Sequence, residues 1–188
     1  MPAPVCISDG NQIAQVDKVS GGLLAIAHEH HEIHEGDSYR AHVTANVGSG
    51  NTLSLTITTP AAPKLCHLVI HVETGNSANV SFYEGVTVTA NTGNTVTAFN
   101  ANRTCPDGTT VVKSQATLNT TNCPVLFSIF TGQPGATPAN EDTGGTTRHE
   151  WILKPATSYS VVVTETGAAA QLMHISFDWY EHIPGEVD

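Results

Sequence analysis

Within the segment 172–180, apolar and polar residues alternate without interruption from Met173 onward. Successive side chains of a β-strand point to opposite faces, whereas those of a helix return to one face about every 3.6 residues. A strand here therefore places Met173, Ile175, Phe177 and Trp179 on one face and the intervening polar residues on the other. The pattern predicts a strand with one buried face.

Period two continues through most of the chain after residue 37. Strand-like segments bounded by Gly, Pro, Asn and Ser occur at 38–44, 52–58, 65–73, 80–84, 86–90, 95–100, 110–117, 125–130, 149–154 and 159–164, in addition to 172–180. We expect about eight to ten of these segments to form separate short strands, and with no helical spacing over a longer segment they predict an all-β fold. We expect an antiparallel β-sandwich, jelly-roll-like, because that packing buries one face of each strand.

Some of these segments support finer predictions. The run 65–73 is almost continuously apolar, which is typical of a strand covered on both faces. The turn signal Asn-Thr-Gly-Asn at 91–94 predicts a hairpin between 86–90 and 95–100, and Gly85 predicts a bulge or a turn. Residues 131–146 show no periodicity and form a long loop of the kind that is usually functional or mobile.

The first residues differ from the rest of the chain. Residues 1–27 contain Met-Pro-Ala-Pro, Asp-Gly-Asn and Ser-Gly-Gly, which break regular structure. We therefore expect an extended N-terminal arm over 1–27, followed by the β-sandwich domain over 28–188.

The composition excludes several classes of protein. Only 13% of the residues are charged and the formal net charge is −10, with seven basic residues scattered along the chain. Binding to nucleic acid phosphates needs clustered Lys and Arg, so we expect no nucleic acid partner. No apolar run approaches the length of a membrane span, and no secretion signal is found, so no membrane partner is expected.

Five of the ten histidines lie between His28 and His42. Neutral imidazoles and carboxylates are ligands for Zn, Fe, Ni or Mn, so a metal site is one interpretation. The His-Glu-x-x-His pattern of zinc proteases is missed, and Gly36 makes a helix doubtful. On a strand, His28 and His30 would share a face, and Glu35 or a distant histidine would be needed to complete the site. The alternative is that these side chains are solvated or face a partner.

The four cysteines are Cys6, Cys66, Cys105 and Cys123, and none has the Cys-x-x-Cys spacing of a zinc knuckle. Cys105 and Cys123 each precede a proline and are candidates to face each other. Without a secretion signal, free thiols are the default.

Several single residues have competing interpretations. Trp151 and Trp179 lie in alternating segments, which favours a place in the core. Arg103 lies beside two asparagines and would brace a turn or reach a partner. His149 and His174 are expected to be ordinary sheet-face histidines.

Four motifs, taken in order, resemble those of small virion proteins of tailed bacteriophages. They are His-Glu-Ile-His-Glu-Gly-Asp-Ser-Tyr from His31, Phe-Asn-Ala-Asn-Arg from Phe99, Glu-Trp-Ile-Leu-Lys-Pro-Ala-Thr-Ser-Tyr from Glu150, and Trp-Tyr-Glu-His from Trp179. The resemblance covers about residues 28–182 and is to capsid decoration, or cement, proteins. The chain departs from the family pattern at Ser38-Tyr39, where a bulky aromatic pair is usual.

The resemblance implies a non-enzymatic structural protein. It implies a β-rich fold with no cofactor, and we assign no catalytic, cofactor-binding or metal residue. Such a protein binds the major capsid protein as a homodimer or homotrimer. It is made in the bacterial cytoplasm and located on the outer surface of the phage head.

Two other functions fit the same sequence. One is a tail-associated or surface-associated module for host recognition or adhesion, with residues 131–146 as its contact loop. The other is a cupin-like metalloenzyme that uses His28, His30 and Glu35.

Overall fold

The computed structural model describes residues 28–131 and 150–184. It contains one helix and twelve strands within these ranges. They are α1 (His28–Glu35), β1 (Ser38–Val47), β2 (Thr52–Thr58), β3 (Leu65–Thr74), β4 (Ala78–Glu84), β5 (Thr87–Val88), β6 (Asn94–Asn100), β7 (Gly108–Ser114), β8 (Leu118–Asn119), β9 (Val125–Thr131), β10 (Glu150–Leu153), β11 (Ser158–Glu165) and β12 (Gln171–His182). The predicted all-β fold is confirmed.

Eight of the strands form two antiparallel layers with jelly-roll order. The first layer is β10-β3-β12-β1 and the second is β2-β11-β4-β9. In each layer, strands from early in the chain alternate with strands from late in the chain, as when a long hairpin is wrapped around a core. The predicted antiparallel, jelly-roll-like sandwich is therefore correct.

An insertion between β4 and β9 joins the two layers along one side. β6 pairs with β1 through Tyr39 opposite Asn100 and Arg40 opposite Phe99, and β7 pairs with β2. Because β6 also pairs with β7, all the strands except β5 and β8 form one continuous curled sheet of ten strands. The other side of the sandwich is bounded by the terminal strands β9 and β10.

The core lies between the two layers and is filled by the inward side of each strand. On β12, Met173, Ile175, Phe177 and Trp179 are all buried, as the alternation predicted. The second layer contributes a matching row of leucine, isoleucine and valine from β2 and β11. The predicted burial of 65–73 on both faces holds only in part: on the side that faces away from the core Val69 is buried, whereas His71 is partly exposed and Glu73 is exposed.

The predicted hairpin between 86–90 and 95–100 is wrong. β5 pairs with β8, while β6 pairs with β7 and β1. A turn does follow β5, with Asn91 at φ 60° and Gly93 at φ 75°. The strand that pairs with β5 lies further along the chain. Next to this pairing, the N–H of Thr89 donates to the carbonyl of Thr117 at 2.9 Å.

The predicted strand 110–117 is shorter than expected. β7 ends at Ser114 because Gln115 takes a left-handed conformation with φ 54°, which no regular strand contains. The residues after it form the short strand β8. Gly85 also adopts a positive φ, of 72°, in the turn after β4, which agrees with one of its two predicted roles.

The interpretation of His28–His34 as a strand is wrong, because this segment belongs to helix α1. Gly36 ends the helix and does not prevent it. With φ 87°, Gly36 donates its N–H to the carbonyl of Glu32 at 3.2 Å, and Asp37 donates to the same carbonyl at 3.0 Å. A glycine in this conformation is a common helix stop.

Three predictions fall outside the described residues. The arm over 1–27, all of the predicted loop after Thr131, and His149 lie there. The boundary of the sandwich domain at residue 28 therefore stays a prediction.

Candidate functional site

The outward side of the first layer carries every histidine of the described strands. These are His42, His67, His71, His174 and His182, and the registers of β1, β3 and β12 place them all on the side away from the core. We call this surface the histidine face. Its members are Arg40, His42, Thr44, His67, Val69, His71, Glu73, Phe99, Glu150, Ile152, Leu172, His174, Ser176, Asp178, Tyr180 and His182.

The outward side of the second layer is built differently. Its strands contain no histidine, and cross-strand hydroxyl pairs cover much of it. Thr56 and Ser160 are hydrogen-bonded at 2.9 Å, and Thr58 and Ser158 at 2.8 Å. These hydroxyl groups satisfy one another, as paired threonines and serines do on strand surfaces. The two outer surfaces of the sandwich therefore differ in chemistry.

A partly buried polar cluster holds the β10 end of the histidine face. Nδ1 of His67 lies 2.6 Å from Oε1 of Glu150, and the hydroxyl of Tyr180 donates to the same oxygen at 2.7 Å. The imidazole of His67 stacks on the ring of Tyr180 at 4.5 Å between centroids, and His182 lies 4.7 Å from it. Because these side chains come from β3, β10 and β12, the cluster ties the short edge strand to the middle of the sheet.

The centre of the histidine face contains half-exposed charges. Asp178 lies between side chains of the two neighbouring strands, 3.5 Å from Nε of Arg40 and 3.6 Å from Nε2 of His71. Nδ1 of His174 is 2.7 Å from the hydroxyl of Thr44, and its ring is 5.7 Å from that of His42. Ion pairs this exposed add little stability, so the same groups are accessible to a partner.

A groove beside α1 forms the opposite end of the face. It is lined by Ile33, Arg40, His42, Phe99, Asn100, Ala101 and Arg103. The guanidinium of Arg103 lies 5.5 Å from the centre of the Phe99 ring and donates to Asp107 at 2.7 Å. This hydrogen bond, together with one from the N–H of Asn100, holds the pKa of Asp107 below its usual range. Of its two predicted roles, Arg103 fulfils the bracing of the turn.

Asn100 was not singled out by sequence reasoning, although it lies within a quoted motif. Its side chain is buried and donates to the carbonyls of Gly36 at 2.6 Å and Pro106 at 3.1 Å. Its Oδ1 accepts from the N–H of Asn102 at 2.8 Å. Asn100 therefore fixes the end of α1 against the loop that follows β6.

Two of the three candidate metal ligands do not share a face of α1. Residues of a helix are about 100° apart, so His30 and Glu35 lie about 140° apart around α1, and the side chain of His28 lies outside the described residues. The helix instead brings the rings of His30 and His34 to 4.7 Å. Among the side chains that the structure describes, no three His, Cys, Asp or Glu residues are grouped to hold a metal ion.

The described cysteines are free thiols. Cys105 lies beside the end of α1, next to Gly36, whereas the thiol of Cys123 contacts the carbonyl of Gly85 at 3.5 Å. The two do not face each other, so that prediction is wrong. Burial raises the pKa of the Cys66 thiol well above its ordinary value, so it is protonated inside the core.

The tryptophan predictions hold. Trp179 is buried, and Trp151 packs against the core beside the rings of Phe82 at 5.7 Å and Phe127 at 6.3 Å. His174 lies on a sheet face, as predicted.

No protein-family model matches the chain, and no curated protein matches it. In the ranges 28–131 and 150–184, no helix is long and apolar enough to cross a membrane.

Proposed function

We propose that the protein is a structural component of a tailed-phage virion that decorates and stabilises the outer surface of the head. It binds the major capsid protein through the histidine face, acts as a homo-oligomer and carries out no catalysis. The observation that carries this proposal is the difference between the two outer surfaces of the sandwich. A decoration protein has one side against the shell and another toward solvent, and this molecule has two sides of different chemistry.

The composition of the histidine face fits a contact surface. Three large apolar side chains are exposed on it, Phe99, Ile152 and Leu172 at 44, 64 and 63%. They are accompanied by histidine rings and by Arg40, and protein interfaces are enriched in aromatic residues and arginine. On the second layer the hydroxyl groups of Thr56 and Ser160 are buried, and they and those of Thr58 and Ser158 are paired within the sheet.

The four motifs that resemble phage decoration proteins also meet in space. Backbone hydrogen bonds of 2.8 and 3.0 Å join the segment 31–39 to the segments 99–103 and 179–182. The segment 150–159 is joined to 179–182 by the hydroxyl-to-carboxylate bond of 2.7 Å in the partly buried polar cluster. The motifs thus frame the histidine face, which supports a common role for them.

The physical basis of the function is contact area. Many modest contacts per subunit, repeated over a symmetric shell, add to a large resistance against internal pressure without any reactive group. The negative charge of the chain, −10, would also help to keep the particle in solution.

The test uses a matched pair of variants. Leu172→Asp places a charge on the histidine face, and Val111→Asp places the same charge on β7, which pairs with β2 of the second layer, at a residue that is 50% exposed. We expect co-sedimentation with undecorated heads to be lost for Leu172→Asp and retained for Val111→Asp. Equal binding by both variants would contradict the assignment of the face.

The function itself is tested on the particle. Heads that carry the protein should withstand higher temperature than heads from which it has been removed, and a reconstruction should place it over the shell. Equal resistance of the two kinds of head would reject the cementing function. Density at the tail tip would favour the adhesion module, and a stoichiometric metal in the purified protein would favour the metalloenzyme.

A further inference from the structure

The terminal strand β9 presents an open, uncharged edge. One side of β9 pairs with β4, and no other strand of the described ranges pairs with its second side. Its sequence, Val-Leu-Phe-Ser-Ile-Phe-Thr, has no charged residue and no proline. Three of its apolar side chains are exposed, Val125 at 51%, Ile129 at 38% and Phe130 at 76%.

The other terminal strand, β10, is protected in ways that β9 is not. Its described residues run from Glu150 to Leu153 and are followed by Lys154, so charged residues lie along it. The carboxylate of Glu150 is held across the sheet by His67 and Tyr180. Charge on an edge is a usual means by which proteins prevent edge-to-edge pairing, and an apolar edge without charge is a template for another strand.

We propose that the second side of β9 pairs with β9 of a second copy of this chain to form a two-fold dimer. Antiparallel pairing of a strand with itself is compatible with two-fold symmetry, in which each partner uses the same surface. Each copy carries a net charge of −10, so two copies repel each other over most of their surfaces. Because β9 has no charged residue, pairing through β9 places no carboxylates of this strand beside each other.

The regular part of β9 sets the extent of the contact. Its pairing with β4 is continuous from Phe127 to Thr131 and shifts register between Phe82 and Tyr83, next to Val125. Ile129 and Phe130 are adjacent residues of the regular part and point to opposite faces of the sheet. Pairing of two β9 strands would therefore bury an apolar side chain on each face of the joined sheet.

This inference supplies the self-contact of the proposed homo-oligomer and rests on the proposed function only for its biological role. The contact can be measured on the purified protein without heads. Sedimentation equilibrium of the full chain should give a mass of two copies of 19.8 kDa. Phe130→Asp should raise the dimer Kd about a hundredfold or more, because two carboxylates would be placed in a desolvated contact.

Leu172→Asp is the matched control, since it adds the same charge at a residue of similar exposure on the first layer. It should leave the dimer intact while abolishing binding to heads. The β9 contact and the histidine-face contact with heads can therefore be tested independently. Circular dichroism should show that both variants fold. A monomeric wild-type protein, or a Phe130→Asp variant that dimerises normally, would overturn the inference.

A second measurement needs no variant. Hydrogen exchange of the amides of β9, residues 125–131, should slow as the concentration of the wild-type protein rises through the dimer Kd. Exchange of the amides of the neighbouring strand β4 should stay constant. Exchange that is slow at every concentration in a monomer would instead show that another part of the same chain covers β9, and would reject the dimer.

Discussion

Gly36 combines two demands that only glycine meets. Its φ of 87° is costly for other residues, and a Cβ at this position would lie 2.7 Å from Sγ of Cys105. Gly50 has a similar φ of 73° but nothing within 4 Å of such a Cβ. We predict that Gly50→Ala lowers the free energy of unfolding by about 1 kcal/mol and Gly36→Ala by about 2–3 kcal/mol. Urea unfolding measures both, and equal losses would show that the contact with Cys105 is unimportant.

Asn100 is expected to be the most sensitive residue of its loop. Replacement by alanine leaves the carbonyls of Gly36 and Pro106 and the N–H of Asn102 without their side-chain partner. We predict a loss of about 2–4 kcal/mol in the free energy of unfolding for Asn100→Ala. Asn102→Ala is the control and should cost less than about 1 kcal/mol, because its hydrogen bonds to the carbonyl of His34 and from Thr104 are solvent-exposed. A similar loss in both variants would contradict the special role of Asn100.

At the scale of elements, three strands meet at one carboxylate. Glu84 at the end of β4 accepts a 2.6 Å hydrogen bond from Nζ of Lys154, just after β10, and a 3.0 Å bond from the hydroxyl of Tyr159 on β11. The bond from Lys154, with a smaller contribution from Tyr159, lowers the pKa of Glu84 below its ordinary 4.5, against the effect of burial. The folded state therefore favours the ionised carboxylate.

The consequence is a loss of stability in acid. A group whose pKa is lowered by folding stabilises the protein above its ordinary pKa, and this contribution disappears as the pH falls through the folded value. We predict that the free energy of unfolding falls more steeply below pH 4.5 in the wild type than in Glu84→Gln. The difference should stay below about 1 kcal/mol, because Lys154 is largely exposed. Parallel curves from urea unfolding would contradict this prediction.

How much of an element follows from sequence depends on how local its cause is. β12 was predicted with its buried face because alternation is a property of consecutive residues. The predicted hairpin after β5 was wrong because the turn at Asn91 and Gly93 is a local signal, whereas the strand that pairs with β5 is β8, which lies further along the chain. Helix α1 was missed because eight residues with four histidines carry almost no apolar periodicity.

The candidate site was less predictable than the fold because its residues come from strands that are far apart in the sequence. The sequence drew attention to the histidines near His28, but the histidine face is formed mainly by residues from β3 and β12. His67 and His71 share a face by their spacing, as do His174 and His182, yet only the register of β3 against β12 places both pairs on the same surface. That register is set by the burial of Ile70 and Phe177 in the core, a property of the folded molecule.

At the scale of the whole molecule, the two proposed contacts differ in their response to pH. The histidine face combines five imidazoles with Arg40 and the carboxylates of Glu73, Glu150 and Asp178. Histidine is the side-chain type that can change charge between about pH 8 and pH 5.5, so we predict that the affinity for heads changes over that range. β9 has no titratable side chain, so the dimer Kd should be far less sensitive over that range. Binding isotherms and sedimentation at matched pH values compare the two. An isotherm for heads that is flat, or a dimer Kd that moves in parallel with it, would contradict the division of the molecule into a titratable shell contact and an uncharged self-contact.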